Sequence, residues 1–354
     1  MTISLCMIVK NEEPVLARCL DSAKDIADEI IIVDTGSTDR TPEIASCYGH
    51  VYDFEWIDDF SAARNYAYSL ATQDYIMWLD ADDVILPADR EKLLALKATP
   101  GFNADAVLMP YHTAFDKQGR PTFTYYRERI TNRACGFQWI EPVHEYLAWD
   151  GVAHYSDAAV THMKEQDGEP GRNLRIYQRT IREKGELSPR GTYYYARELY
   201  YNGDYHAAIG WFQRFLDCYD GWVEDKIQAC LLLARCCDRP AEKEHWLLRS
   251  FEYAAPRPEV CCDLGYLYSG KGDYARALGW FMTALAYEPP KHQLGFVRPD
   301  YNGYIPAIEA CLCAWHLGDV DAAKKYNRIA GQYKPGDPSV AYNERFFDGI
   351  KKGA

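Results

Sequence analysis

The sequence lacks any long apolar run, and charged residues interrupt its N-terminal segment early, at Lys10, Glu12 and Glu13. A membrane-spanning helix needs about 20 consecutive apolar residues, and a secretory signal needs an uninterrupted apolar core. We therefore expect a protein without a transmembrane segment, located in the cytoplasm.

Positive charge is also scarce, because 39 Lys and Arg face 52 Asp and Glu and the formal net charge is −13. A field of this sign repels nucleic-acid phosphates and anionic lipid headgroups. The balance argues against nucleic acid as a partner, although a local basic groove for one anionic ligand is compatible with it.

The twelve cysteines form no CxxC pair and show no Cys/His spacing typical of zinc sites. They are expected to be reduced, mostly buried side chains in a reducing compartment. The 354 residues, 48% of them hydrophobic, can bury a sizeable core, and a chain of this length is expected to form two domains.

The first half of the chain alternates short apolar runs with helical patterns. Residues 3–9, 29–33, 51–54 and 75–79 are predicted strands, and residues 12–24 and 61–71 are predicted helices. This alternation predicts an α/β domain with a mostly parallel central sheet. Polar clusters at residues 10–12, 34–40 and 80–83 follow predicted strands, which is where such sheets bind ligands.

The second half repeats a turn motif in which Gly203, Gly272 and Gly318 each precede an aspartate, with an aromatic residue eight positions after the glycine. The aromatic positions advance by 35, 34 and then 46 residues: Trp211, Trp246, Trp280 and Tyr326. The longer last step indicates an insertion at about residues 289–302. This period resembles tetratricopeptide repeats, and an irregular helical bundle is the alternative.

A helix predicted over residues 165–188 connects the two halves, with Arg172, Arg175, Arg179 and Arg182 at helical spacing. An arginine stripe of this kind is typical of a solvated face. The predicted domains are therefore residues 1–164, the connecting helix, and the helical repeats at residues 189–354.

Asp80, Asp82 and Asp83 emerge together where the apolar strand at residues 75–79 ends. Clustered carboxylates suit Mg²⁺ or Mn²⁺ shared with a diphosphate, because hard cations prefer oxygen ligands. A helix N-cap before Pro87 is the alternative interpretation of an isolated Asp-x-Asp.

Four stretches together resemble family 2 glycosyltransferases in order and spacing. They are MIVKNEE at residues 7–13, IIVDTGSTD at 31–39, FSAARN at 60–65 and WLDADD at 78–83. The resemblance covers about residues 3–164 and implies a GT-A nucleotide-sugar-binding domain, here followed by tetratricopeptide-like repeats.

The resemblance also implies roles for individual residues. Asp34 would accept from the base, Arg64 would contact the base or diphosphate, and Asp80 would lie near the ribose and metal. Val9, Asn11 and Glu12 would line the nucleotide pocket, and Asp82 and His162 would be metal ligands with Asp80. A carboxylate at Asp34 can accept from the imide N–H of uracil, which favours a UDP-sugar.

The stretches RITNR at residues 129–133, GFQWIEPVHE at 136–145 and VTH at 160–162 resemble a subgroup of this family. That subgroup includes lipopolysaccharide-core glucosyltransferases and bacteriocin S-glycosyltransferases. The resemblance implies an inverting reaction with Glu145 as the base and Glu141 in reserve. Glu145 as a salt-bridge partner of Arg129 or Arg133 is the competing interpretation.

On the acceptor side, Trp139 is expected to stack on the acceptor or to pack in the core, and His144 could exchange roles with His162. The leading hypothesis is a metal-dependent transferase that moves a sugar to a peptide or protein side chain. The alternatives are a saccharide or lipid-linked glycan acceptor, and a non-catalytic adaptor.

Overall fold

The computed structural model describes residues 1–165, 169–290, 292 and 295–351. The chain divides into two compact units. The first contains Met1–Leu187 and His292–Phe296, and the second contains Ser188–Lys291 and Val297–Ala354. Part of the insertion predicted at residues 289–302, and the first residues of the predicted connecting helix, lie outside the described residues.

The described strands of the first unit are β1 Ile3–Val9, β2 Glu29–Asp34, β3 His50–Asp53, β4 Tyr75–Trp78, β5 Asp83–Val84, β6 Ala106–Phe115, β7 Pro121–Asn132, β8 Gln138–Ile140, β9 Tyr146–Ala148, β10 Ala153–Tyr155 and β11 Val160–His162. Nine of them form one sheet. Eight follow the spatial order β3-β2-β1-β4-β7-β6-β11-β5, and β10 pairs with β6; β8 and β9 form a separate pair. Strands β3, β2, β1 and β4 run parallel, so the predicted α/β domain with a mostly parallel sheet is confirmed.

Among its described residues this unit has five α-helices: α1 Leu16–Ala23, α2 Thr41–Ser46, α3 Phe60–Leu70, α4 Pro87–Lys97 and α5 Arg172–Lys184. The apolar strands β1, β2 and β4 are buried on both faces, as their uninterrupted hydrophobic sequences require. Helix α1 begins four residues later than predicted, after Pro14. The backbone N–H of Glu12 is instead bonded to the Thr41 hydroxyl at 2.7 Å.

Helix α5 packs on the first unit through the buried side chain of Tyr177, whose hydroxyl donates to the Val143 carbonyl at 3.2 Å. The predicted arginine stripe is only partly solvated. Arg172 lies over the Phe60 ring and Arg179 pairs with Asp58, whereas Arg175 is exposed. The predicted connecting segment thus belongs to the first unit over residues 169–187, and the second unit begins at Ser188.

The second unit consists of successive helices that pair with their neighbours along the chain. They are α6 Pro189–Tyr201, α7 Tyr205–Leu216, α8 Val223–Cys236, α9 Pro240–Arg249, α10 Pro258–Ser269, α11 Tyr274–Leu285, α12 Tyr304–His316, α13 Val320–Tyr333 and α14 Pro338–Lys351. The predicted helical repeats are thus confirmed, and the Gly-Asp motif falls in the turn inside a helix pair.

The motif has a physical basis in these turns. Gly272, with φ near +75°, adopts the left-handed conformation that ends α10. Asp273 then caps α11, because its carboxylate accepts from the Arg276 backbone N–H at 3.1 Å. Asp204 and Asp319 cap α7 and α13 in the same way.

Small residues allow the paired helices to approach closely. A Cβ added to Gly265 on α10 would come within 2.6 Å of the fully buried Phe281 ring on α11.

The twelve cysteines are free and most are buried. Among the described residues, none of the helices combines the length and apolar character needed to cross a membrane.

Candidate functional site

The loop between β4 and β5 carries the carboxylates that the sequence singled out. Asp80 and Asp82 are partly accessible, whereas Asp83 is fully buried. The loop is tightened by the Asp80 backbone N–H, which donates to the Asp83 carboxylate at 3.1 Å. The three aspartates therefore differ in what they can do: two face an accessible space and one faces the protein interior.

Asp83 forms a buried ion pair with Arg129 of β7, with 2.9 Å between Asp83 Oδ2 and Arg129 Nη1. The Tyr111 hydroxyl donates to the other oxygen, Asp83 Oδ1, at 2.8 Å. Burial, and next the charge of Asp83, raises the pKa of Tyr111 above its usual range, so the phenol keeps its proton. Both oxygens of Asp83 are thus engaged inside the protein.

His162 reaches this loop because β11 pairs with β5 in antiparallel register, opposite Asp83. Its Nδ1 lies 3.3 Å from Asp82 Oδ1, 3.4 Å from Asp83 Oδ1 and 2.9 Å from the Tyr111 hydroxyl. Burial alone would lower the pKa of His162, but Asp82 and Asp83 outweigh it and raise the pKa to about 10. An imidazolium here balances the same carboxylates that a metal ion would.

Arg64 of α3 joins two of the predicted site carboxylates. It is buried between the rings of Trp78 and Trp139, donates through Nη2 to Asp80 Oδ1 at 2.7 Å and donates through Nε to Glu145 Oε1 at 2.7 Å. Burial alone would raise the pKa of Asp80, but Arg64 and then Arg129 outweigh it and lower the pKa to about 2. Asp80 is therefore ionised at neutral pH.

Glu145 pairs with Arg64, and the alternative salt bridges considered for it, to Arg129 or Arg133, are wrong. Arg129 is committed to Asp83, and Arg133 donates to the Gln73 carbonyl. The stretch at residues 129–133 therefore supports the carboxylate loop through Arg129 and the loop before β4 through Arg133.

The predicted nucleotide side lies where β1 and β2 end. Asp34 is the last residue of β2 and is itself buried, and its carboxylate accepts from the backbone N–H and the hydroxyl of Ser37. Asn11, with φ near +56°, accepts from the Thr38 N–H at 2.7 Å, and the Val9 carbonyl accepts from Thr35. These contacts shape the loop after β2 around the ends of both strands.

Glu12 is half-buried near the carboxylate loop. Burial, followed by the charges of Asp82 and Asp80, raises the pKa of Glu12 to about 7. The structure thus brings Glu12 into the same electrostatic environment as the predicted metal ligands.

Trp139 and His144, predicted for the acceptor side, and the predicted reserve base Glu141 have different surroundings. Trp139 is only 2% exposed and packs edge-on against Trp78 and Tyr68, so the structure favours core packing over stacking on an acceptor. His144 stacks on Tyr177 of α5. Glu141 is partly buried, with φ near +79°.

A divalent cation fits the chemistry of the residues present. Asp82, Asp83 and His162 offer ligand atoms within 4.8 Å of one another, and Asp80 lies in the same loop. Carboxylate oxygens with one imidazole suit Mg²⁺ or Mn²⁺. The sequence indicated Asp82, Asp83 and His162 but not Tyr111 or the buried pairing of Asp83, because those contacts depend on a strand register that the pattern does not reveal.

Comparison with known protein families identifies the first part of the chain. Residues 4–149 match the model of glycosyl transferase family 2. The first unit therefore carries a family 2 glycosyltransferase domain, and helical repeats follow it along the chain.

Particular relatives match only parts of the chain. A TPR repeat-containing protein of Synechococcus elongatus is 38% identical over 168 residues, 43% of this chain and 42% of that protein. The SPbeta prophage-derived glycosyltransferase SunS of Bacillus subtilis is 35% identical over 119 residues, 31% of this chain and 27% of that protein. The chain thus spans less than half the length of these curated relatives.

One solved structure with a bound sugar nucleotide is also similar. It is the crystal structure of S. aureus TarS 1-349 in complex with UDP-GlcNAc, with a TM-score of 0.39 and 14% sequence identity. The alignment covers 95% of this chain and 93% of that chain.

Proposed function

We propose that this protein is an inverting, metal-dependent glycosyltransferase that moves a sugar from a UDP-sugar to a peptide or protein side chain. The observation that carries the proposal is the convergence of Asp80, Asp82 and His162 at one edge of a family 2 domain. Asp34 ends β2, which runs parallel to β1. Glu145 is connected to the carboxylate loop through Arg64, which pairs with both Glu145 and Asp80.

On the donor side, Asp34 would accept from the imide N–H of uracil, since an ionised carboxylate is an acceptor only. Asn11 and the backbone of Val9 hold the loop that borders this position. Arg64 is buried and already paired with two carboxylates. We therefore assign it the role of holding Asp80 and Glu145 in place rather than direct contact with the nucleotide.

On the chemical side, Asp82 and His162 would hold the divalent cation, with Asp80 close by. When bound, the cation supplies charge neutralisation for the departing diphosphate. Glu145 would take the acceptor's proton, and Arg64, bonded to Oε1 only, holds the carboxylate in place for that transfer.

A peptide acceptor is supported by the helical repeats, because stacked repeats form extended surfaces suited to extended chains. The second unit also exposes large aromatic side chains, with Tyr201 64% and Tyr219 97% accessible. A saccharide acceptor with the same donor chemistry is the second candidate.

Replacing Asp34 by alanine is expected to weaken UDP binding by about 1 to 3 kcal/mol, because a buried imide donor would lose its charged partner. Titration calorimetry with UDP measures this directly. The Ser37→Ala variant is the matched control, since it removes a hydrogen bond to Asp34 but keeps the carboxylate. Equal losses in both variants would assign the effect to the loop rather than to base recognition.

The function itself is tested by incubating the purified protein with Mn²⁺ and a panel of sugar nucleotides and measuring release of the nucleoside diphosphate. We expect slow release from one UDP-sugar and none after chelation. Peptide and oligosaccharide arrays with that donor, read by mass spectrometry, then distinguish the acceptors. No release from any donor would favour the adaptor alternative.

A further inference from the structure

A chain of hydrogen bonds lies beneath the carboxylate loop and ends at the ring of His162. Arg129 Nη1 and the Asp80 backbone N–H donate to Asp83 Oδ2, at 2.9 and 3.1 Å. The Tyr111 hydroxyl donates to Asp83 Oδ1 at 2.8 Å and lies 2.9 Å from His162 Nδ1. Asp83 is fully buried and Tyr111 is only 5% exposed, so solvent has little access to this chain.

The direction of each hydrogen bond follows from what each group can donate. Arginine only donates and an ionised aspartate only accepts, so the single O–H hydrogen of Tyr111 points to Asp83. The Tyr111 oxygen can then only accept from His162. Nδ1 of His162 must therefore carry a hydrogen, which in the neutral ring leaves the lone pair on Nε2.

Arg129, at the far end of this chain from His162, is held by close packing. The Arg129 guanidinium is fully buried, and it stacks 3.8 Å from the centroid of the Trp78 ring and 4.3 Å from that of Tyr111. It can only donate, so the Asp83 carboxylate is the acceptor of this pair. Because both oxygens of Asp83 are used in this way, Asp83 is poorly placed to serve as a third ligand of a cation.

We propose that Tyr111 is a positioning residue that, supported by Asp83 and Arg129, fixes the tautomer of His162 and leaves Nε2 to bind the divalent cation. The inference rests on the proposed metal-dependent function and removes Asp83 from the ligand set. Partners of this kind set ring orientation and ligand basicity at other metal sites.

The first experiment measures Mn²⁺ affinity by electron paramagnetic resonance, with UDP present, for the wild-type protein and for variants. Tyr111→Phe keeps the ring and is expected to weaken Mn²⁺ binding about 10- to 100-fold. In the His162→Ala background, Tyr111→Phe should cause no further loss. Tyr75→Phe is the matched control, because it also removes a hydroxyl from a buried ring of the same unit and should leave the affinity unchanged.

Wild-type affinity in Tyr111→Phe, or an equal loss with and without His162, would overturn the inference. Absence of Mn²⁺ binding by the wild-type protein would instead refute the metal-dependent function, so the two failures are distinguishable.

A second measurement needs no variant of Tyr111. Long-range ¹H–¹⁵N spectra of the ¹⁵N-histidine protein with Mg²⁺ and UDP report the tautomer of His162, assigned by its disappearance in His162→Ala. Protonated Nδ1 is expected, and protonated Nε2 with bare Nδ1 would overturn the proposal.

Discussion

Replacing Asp82 by asparagine is expected to abolish sugar transfer while the protein stays folded. The Asp82 side chain is about a quarter exposed and its carboxylate pairs with His162, so we expect the fold to depend little on its charge. A neutral amide is a poor ligand for a hard cation beside a diphosphate. Release of UDP measures the loss, and thermal denaturation checks the fold.

The control for this variant is Asp25→Asn. Asp25 is an exposed carboxylate of the same unit that pairs with Arg90 and belongs to neither the proposed nucleotide site nor the proposed metal site. Its variant should retain full activity. Chelation of the wild-type protein should reproduce the Asp82→Asn result, with recovery on adding Mn²⁺ or Mg²⁺. Activity of Asp82→Asn within a few-fold of wild type would contradict the metal assignment.

Much of the first unit could be predicted because its strands carry the signal locally. Residues 3–9 are apolar throughout and form β1 as predicted, and β2 and β4 differ from their predictions by one residue at one end. Helix α1 was predicted to start too early, because the pattern could not show that the backbone of Glu12 bonds to Thr41, 29 positions later.

The repeats were predictable for a different reason. Three helix pairs, α6–α7, α10–α11 and α12–α13, reuse one local solution, a left-handed glycine followed by an aspartate cap, so the period is visible in the sequence. The starting residues of individual helices were less visible. Pro258 and Pro338 begin helices, as proline can in the first turn, but the repeat period does not mark these starts.

The partners of the site residues could not be predicted in the same way. Asp83 and His162 are 79 positions apart and meet because two short strands pair in one register. The sequence suggests Arg129 as a partner of Glu145, yet it is fully buried against Asp83. Long-range pairing of charged groups depends on topology, and a periodicity argument contains no information about it.

Replacing Glu145, which is paired with Arg64, by glutamine is expected to slow the chemical step. In Glu145→Gln the amide oxygen can still accept from Arg64, but the side chain can no longer take the acceptor's proton. We expect turnover to fall by about 10² to 10⁴ with a hydroxyl acceptor, while affinity for the donor hardly changes. Single-turnover kinetics and calorimetry with UDP separate the two quantities.

A purely structural role for Glu145 predicts a different pattern. Loss of one partner from a buried ion pair destabilises a protein by about 3 to 5 kcal/mol, so the free energy of unfolding would fall along with activity. Glu141→Gln is the matched control, because the same change is made four residues earlier in the same segment. A rate deficit in Glu141→Gln but not in Glu145→Gln would assign the role of base to Glu141.

The acceptor decides how large the deficit is. A thiol is already partly ionised near neutral pH, so it depends less on a base than a hydroxyl does. If Glu145 is the base, the Glu145→Gln variant should lose less activity with a cysteine peptide than with the matched serine peptide. An equal loss with both peptides would show that Glu145 acts on the position of the donor or of Arg64 rather than on the acceptor's proton.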